Sequence, residues 1–271
     1  MSNADRLWHL LEGARVYDLG QPLDPSMPVS PNHPGFRMAL IRRHGDMVRA
    51  DGGSAASEMF VTGGHVGTHI DALAHVSHQG KLHGGVDAYE AQTGGRFLEL
   101  GIDRVSPIVC RGVLLDVAGL YDVPTLPAGY AITAQDLRRA ADRAGIEVRA
   151  GDAVLVRSGW AANWSNPAVY IGHDAGVPGV DVSGAEQIAA WGSRATGHDS
   201  VAYEQIRPGA GHSLLPVHRI LLVEHGIFIV ENLNLEQLAS ERVCEFLFVV
   251  TPLKLVGATG SPVRPIAVVT Q

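Results

Sequence analysis

The stretch Gly63-Gly64-His65-Val66-Gly67-Thr68-His69-Ile70-Asp71-Ala72-Leu73-Ala74-His75 sets the terms for the rest of the chain. Thirteen histidines in 271 residues predict about one in any 19-residue window, yet residues 65 to 83 hold five, at 65, 69, 75, 78 and 83. Neutral imidazole is the commonest biological metal ligand, and a carboxylate beside it suits Zn²⁺, Mn²⁺ or Fe²⁺. His65, His69 and Asp71 offer two nitrogens and one oxygen within seven residues, a ligand set that leaves coordination positions open for water. Geometry then restricts the backbone. A straight strand would put His65 and Asp71 ~20 Å apart, and a helix would turn Asp71 about 200° away from His69. Neither lets one ion reach all three. The chain has to bend, and Gly63, Gly64 and Gly67 permit the positive φ and close main-chain approach that a bend needs. A loop or a single helical turn curled around a metal is the expected form. His78 and His83 lack ligand spacing and read as ordinary surface or core histidines.

The whole chain sets the class. Hydrophobic residues at 46% and charged residues at 18% support a packed core and exclude a disordered protein. The length allows one or two domains, and the absence of a linker, repeat or low-complexity tract favours one domain over residues 1–271. A net charge of −7 with no Lys/Arg run argues against nucleic acid as a partner. The N-terminus has no basic region followed by an apolar one, and no run reaches about 18 apolar residues, so a soluble, cytoplasmic protein without a membrane partner is expected. Cys110 and Cys244 sit in apolar strand-like surroundings and read as buried thiols of a reducing compartment.

Along the chain, residues 17 to 36 contain five prolines and read as an extended segment, an edge strand or an arm, so that residues 1–36 form an extended N-terminal arm. Met38–Arg43 alternates weakly, and Met59–Thr62 is a short strand feeding the His cluster. Gly112–Val117 and Ala153–Arg157 read as buried strands, with a short strand near Ala195 ending at Gly197-His198-Asp199-Ser200. Thr133 with Asp136 resembles a capping box that opens a helix closed by Gly145, and Ser183 with Glu186 does the same for a helix through Trp191. Strands and helices alternate, which predicts an α/β protein with a mixed sheet.

A second set of polar residues follows. Leu214–His225 suits a short helix stopped by Gly226, and Ile227–Val230 is a β-branched run that suits a strand. From 218 to 225 a helix advances about 12 Å, and five strand residues returning cover about 16 Å. The lengths nearly cancel, so His218 and Glu231 can meet. Glu231 ends an otherwise apolar strand and needs a cation or hydrogen-bond donors; an Arg partner would serve as well.

These motifs resemble the cyclase family of metal-dependent hydrolases, which includes kynurenine formamidases and isatin hydrolases. The family signature H-x-G-T-H-x-D-x-P-x-H is matched by His65-Val-Gly67-Thr68-His69-Ile-Asp71-Ala-Leu73-Ala-His75, with Leu73 in place of the Pro. Asp18-Leu19, Met27-Pro28-Val29, Gly197-His-Asp199-Ser, His218-Arg-Ile-Leu-Leu, Glu231-Asn-Leu and Gly257-Ala-Thr-Gly-Ser-Pro-Val extend the match. The resemblance implies a swivelling β/β/α fold, His65, His69 and Asp71 on a first metal, and His75 as catalytic acid/base. In formamidase-like members Asp71 would bridge to a second metal on His218 and Glu231, whereas isatin hydrolase is similar to a one-metal site. It also implies a homodimer or homotetramer. Ser30 stands where kynurenine formamidases carry a Trp that packs on an aromatic substrate, which weakens N-formylkynurenine as the substrate.

The expected activity is hydrolysis of a C–N bond in a small amide or cyclic amide, by water activated on one or two Zn²⁺ or Mn²⁺ ions. A lactone or ester hydrolase using the same ion, an N-formylkynurenine formamidase, and a non-catalytic metal-binding scaffold are the alternatives. No GxSxG, P-loop or GxGxxG motif supports a serine hydrolase, an NTPase or a Rossmann dehydrogenase. An arm that cannot join its own sheet also predicts that Leu19, Leu23, Met27, Val29 and Phe36 pack across a neighbouring subunit, with Ser30 helping to close an active site.

Overall fold

The computed structural model describes residues 2–270. Nine strands form one mixed sheet in the order Arg15–Asp18, Ile266–Val269, Glu245–Val250, Ile108–Asp116, Ala153–Arg157, Ala195–His198, Phe228–Glu231, His69–Asp71, Gly260–Pro262. The four from Ile108–Asp116 to Phe228–Glu231 run parallel, and the flanking pairings are antiparallel. Parallel neighbours need a crossover, and helices supply it: Ala134–Ala144, Val182–Ala190 and the helical stretch 216–224.

Alternation along the strands explains their apolar runs. Val113, Leu115, Val154 and Val156 pack with Leu137, Ile188 and Leu221 of the crossover helices. The intervening Leu114 and Leu155 face the opposite side, against Ile70, Phe246 and Phe248. Both faces are covered, so both sets of side chains are apolar. The α/β class with a mixed sheet is the one the sequence predicts.

Details differ from expectation for local reasons. Thr133 caps its helix with Asp136 as predicted, and Gly145 ends it in the left-handed region. The next helix is capped by Asp181, not Ser183, because the Asp181 carboxylate reaches Gly184 N at 2.8 Å and takes the Ser183 hydroxyl as well. The helix expected over 214–225 begins at Pro216 and widens to π-type over Arg219–Glu224. Cys110 and Cys244 are free and half-buried rather than buried.

The extended arm expected over residues 1–36 is not extended throughout. Asn3–Leu11 is a helix whose first turn is closed by a Ser2/Asp5 capping box, and Arg15–Asp18 is an edge strand. Beyond it the segment carries turns, and Leu19, Met27 and Phe36 are buried on their own chain, so no second subunit is required to cover them. The ribbon that follows, Arg37–Arg42 paired with Ser57–Val61, joins no other strand. Its Met38, Leu40, Ile41, Met59, Phe60 and Val61 are all more than half exposed. Among the described residues no helix is long and apolar enough to cross a membrane.

Candidate metal centre

The bend predicted after Thr62 is a loop, with Gly67 at φ 67°, that turns directly into the strand His69–Asp71. On that strand His69 and Asp71 share one face by the period of two, while Ile70 points into the core and is fully buried. The loop carries His65 back over them: His65 Nδ1 lies 2.7 Å from Asp71 Oδ1, and His69 Nε2 lies 3.5 Å from the same oxygen. A side chain at Gly260, opposite Asp71 in the ladder, would strike the His65 ring at 2.4 Å, so the close approach depends on that glycine.

Glu231 arrives from the neighbouring strand, where it pairs with His69. Its Oε2 is 3.4 Å from His69 Nε2, and its Oε1 is 3.2 Å from His218 Nε2. The helix and the strand do return His218 to Glu231, and among the described residues no Arg pairs with that carboxylate. His65, His69 and Asp71 form one group whose ligand atoms all lie within 4.8 Å of one another, and Asp71, His218 and Glu231 form a second.

Each of these imidazoles has its remote nitrogen tied down. His65 Nε2 is 2.9 Å from Thr259 Oγ1, His69 Nδ1 is 2.8 Å from the Gly67 carbonyl, and His218 Nδ1 is 2.6 Å from Glu204 Oε1. With a proton on each tied nitrogen, the lone pairs left over point at the carboxylates. Asp71 Oδ2, shared by neither short contact, is buried without a hydrogen-bond partner and lies 3.7 Å from His218 Nε2. An orphaned carboxylate oxygen amid nitrogen lone pairs is a donor set that fits divalent ions, with the residues anchored from behind as metal sites require.

His75 stands apart from both groups. Its ring stacks on His65 with centroids 3.8 Å apart. Burial pushes its pKa down to about 3, against the pull of the Asp71 carboxylate, so the imidazole is neutral at physiological pH. Burial opposes the charge on Asp71, yet His75, His65 and His69 hold its pKa well below the usual carboxylate range. Burial also opposes a charged His218, but hydrogen bonds to Glu204 and Glu231 outweigh it and raise that pKa, so without an ion Nε2 carries a proton towards Glu231 that a bound cation would replace.

The group opens on a cavity of ≈ 210 Å³, walled by Ser30, Val66, Val201 and Leu215, with His33 and His212 at its rim. His83 lies outside it: Nδ1 bonds the Val223 carbonyl at 3.0 Å and the ring abuts Gly226, a packing role at the helix end. His78 is exposed and bridges Lys81 in a turn. Asp199 of the Gly197-His-Asp-Ser stretch is fully buried and accepts from Ser158 N, Ser158 Oγ and Gly159 N, a structural tie. Sequence reasoning missed Thr259 and Glu204.

The chain matches the Cyclase family model, described as "Putative cyclase", over residues 17–205, and it belongs to that family. It is 23% identical to isatin hydrolase from Roseibium aggregatum over 275 residues, covering 97% of this chain and 95% of that one. Among solved structures it is similar to a novel cyclase, with TM-score 0.86 and 26% identity over 98% of this chain and 93% of the other. It is also similar to isatin hydrolase A from Ralstonia solanacearum, with TM-score 0.76 and 24% identity over 99% and 98%. The family resemblance and the cyclase fold expected from the His65–His75 signature both hold.

Proposed function

We propose that this chain is a metal-dependent hydrolase that cleaves the C–N bond of an amide or cyclic amide. The observation that carries the reading is the anchoring of His65, His69 and His218 through their remote nitrogens, which leaves their lone pairs converging on Asp71 and Glu231. A divalent ion bound there, Zn²⁺ or Mn²⁺, supplies an acidified water and polarises the scissile carbonyl. His65, His69 and Asp71 would hold a first ion, and Asp71, His218 and Glu231 would hold a second. His75, neutral and stacked on His65 without belonging to either group, accepts the proton of the attacking water and returns it to the leaving nitrogen. The apolar wall of Val66, Val201 and Leu215 limits competing water. The relatives named isatin hydrolase support the substrate class, since isatin is a cyclic amide.

Hydrolysis of a panel of cyclic imides, formanilides, lactones and simple esters, by protein stripped of metal and resupplied with Mn²⁺ or Zn²⁺, tests this. Metal-dependent turnover of the amides is the expected result. Exclusive turnover of lactones or esters moves the substrate class, and metal binding without turnover of any member leaves a binding protein.

The reading extends to assembly. The ribbon Arg37–Arg42 with Ser57–Val61 leaves Met38, Leu40, Ile41, Met59, Phe60 and Val61 more than half exposed, and a second copy of the chain is their proposed cover, in a cytoplasmic homodimer or homotetramer.

A further inference from the structure

We propose that Glu204 is the positioning residue for the second ion: it fixes the ring of His218 so that Nε2 faces Asp71 and Glu231. This rests on the metal-dependent reading above. Glu204 belongs to neither ligand group and is only 3% exposed. Its carboxylate accepts three N–H bonds from one short segment: from Val217 N at 3.3 Å, His218 N at 3.1 Å and His218 Nδ1 at 2.6 Å. The main chain and the ring of His218 are thus gripped by the same group, and charge-assisted bonds to a buried carboxylate are strong. With Nδ1–H committed to Glu204, only Nε2 is left for an ion.

The loop that presents Glu204 is itself built for the purpose. Tyr203, fully buried, sits in the left-handed region at φ 55°, a conformation that bulky side chains rarely adopt without a constraint. Its hydroxyl is pinned 2.6 Å from Thr196 Oγ1 on the parallel strand Ala195–His198. On the other side Glu204 bridges Val180, and a Cβ at Gly179 would lie 2.3 Å from the Glu204 carbonyl carbon. Strand, hydroxyl pair and glycine together hold one carboxylate behind His218. A second ion would therefore depend on Glu204 more than a first ion on His65 and His69 does, because neither of those rings touches it.

The test is calorimetric titration of the metal-stripped full chain with Mn²⁺ alone. Wild type takes up two ions. Glu204→Ala retains the first with unchanged affinity and binds the second on the order of 10- to 100-fold more weakly. Glu204→Gln, which keeps an acceptor for Nδ1–H and guards against a folding failure of the alanine variant, falls between the two. Equal affinities in all three proteins overturn the proposal, and so does an equal loss of both ions in a variant that melts at the wild-type temperature. Should wild type itself bind fewer than two ions, the two-ion reading has failed, and crystals of the metal-free proteins decide the rest. A His218 ring turned away from Asp71 and Glu231 only in the variants supports the positioning role, and an unturned ring refutes it.

Discussion

The imidazole planes of His65 and His75 lie 24° apart with their centroids separated by 3.8 Å, so the two rings touch face to face instead of converging on a common point. In the proposed arrangement His75 supports His65 without belonging to either ligand group. His75→Ala is expected to keep both ions while turnover falls by ~10² to 10⁴, the range for loss of a general acid/base. Metal content and kcat measured on the same preparation check this. A variant that loses its metal would make His75 a ligand.

Gly260 is the second control on His65. A methyl group there would meet His65 Cε1 at 2.4 Å and Nδ1 at 2.8 Å, and the ring has Asp71 and Thr259 fixing its other contacts. Gly260→Ala is expected to lower affinity for the first ion on the order of 10-fold or more while the second, on His218 and Glu231, changes less. Titration with Zn²⁺ followed by a competing chelator reads the two separately.

Behind the ligands, Ile70 carries the strand into the core. It is fully buried in the apolar cluster that holds Leu114, Leu155 and Phe246. Ile70→Ala should cost about 2–5 kcal/mol in denaturant unfolding, the range for deleting a buried aliphatic side chain. A loss under 1 kcal/mol would mean that the core can close over the gap.

Assembly through the ribbon makes its own prediction. Met38 and Phe60 pair across the two strands, and both are more than half exposed. Light scattering should find the full chain as a dimer or tetramer, and M38K with F60K should shift it towards monomer. A wild-type monomer at micromolar concentration contradicts the proposed second copy.

How far the site was legible follows from where its parts lie in the chain. His65, His69 and Asp71 sit within seven residues, and their ligand spacing with three nearby glycines predicted the bend that brings them together, although the expected loop or single helical turn gives way to a strand at His69–Asp71. The approach of His218 to Glu231 was legible because a helix and its returning strand have calculable lengths. The roles of Glu204 and Thr259 were not: Gly257-Ala-Thr259-Gly reads only as a family match, Ala202-Tyr-Glu204-Gln carries no local pattern, and each acts on a histidine distant in the chain or across a loop. In the fold, the parallel centre showed in its apolar runs, whereas the edges did not. Arg15–Asp18 pairs with Ile266–Val269 at the other end of the chain, and such a long-range antiparallel ladder leaves no local periodicity to read. The helix Asn3–Leu11 was missed although Ser2 with Asp5 forms a capping box and Leu7, Leu10 and Leu11 recur at helical spacing, because the prolines further along make the whole of residues 1–36 read as extended.

Hydrolysis is proposed to depend on divalent ions held by His65, His69, Asp71, His218 and Glu231. Metal analysis by mass spectrometry, before and after chelation and alongside turnover of the best amide substrate, tests it most directly. Two Zn²⁺ or Mn²⁺ ions per chain are expected, with loss of activity as they are stripped, recovery on resupply, and failure of Asp71→Ala to bind either ion. Full turnover by protein shown to be metal-free would contradict it.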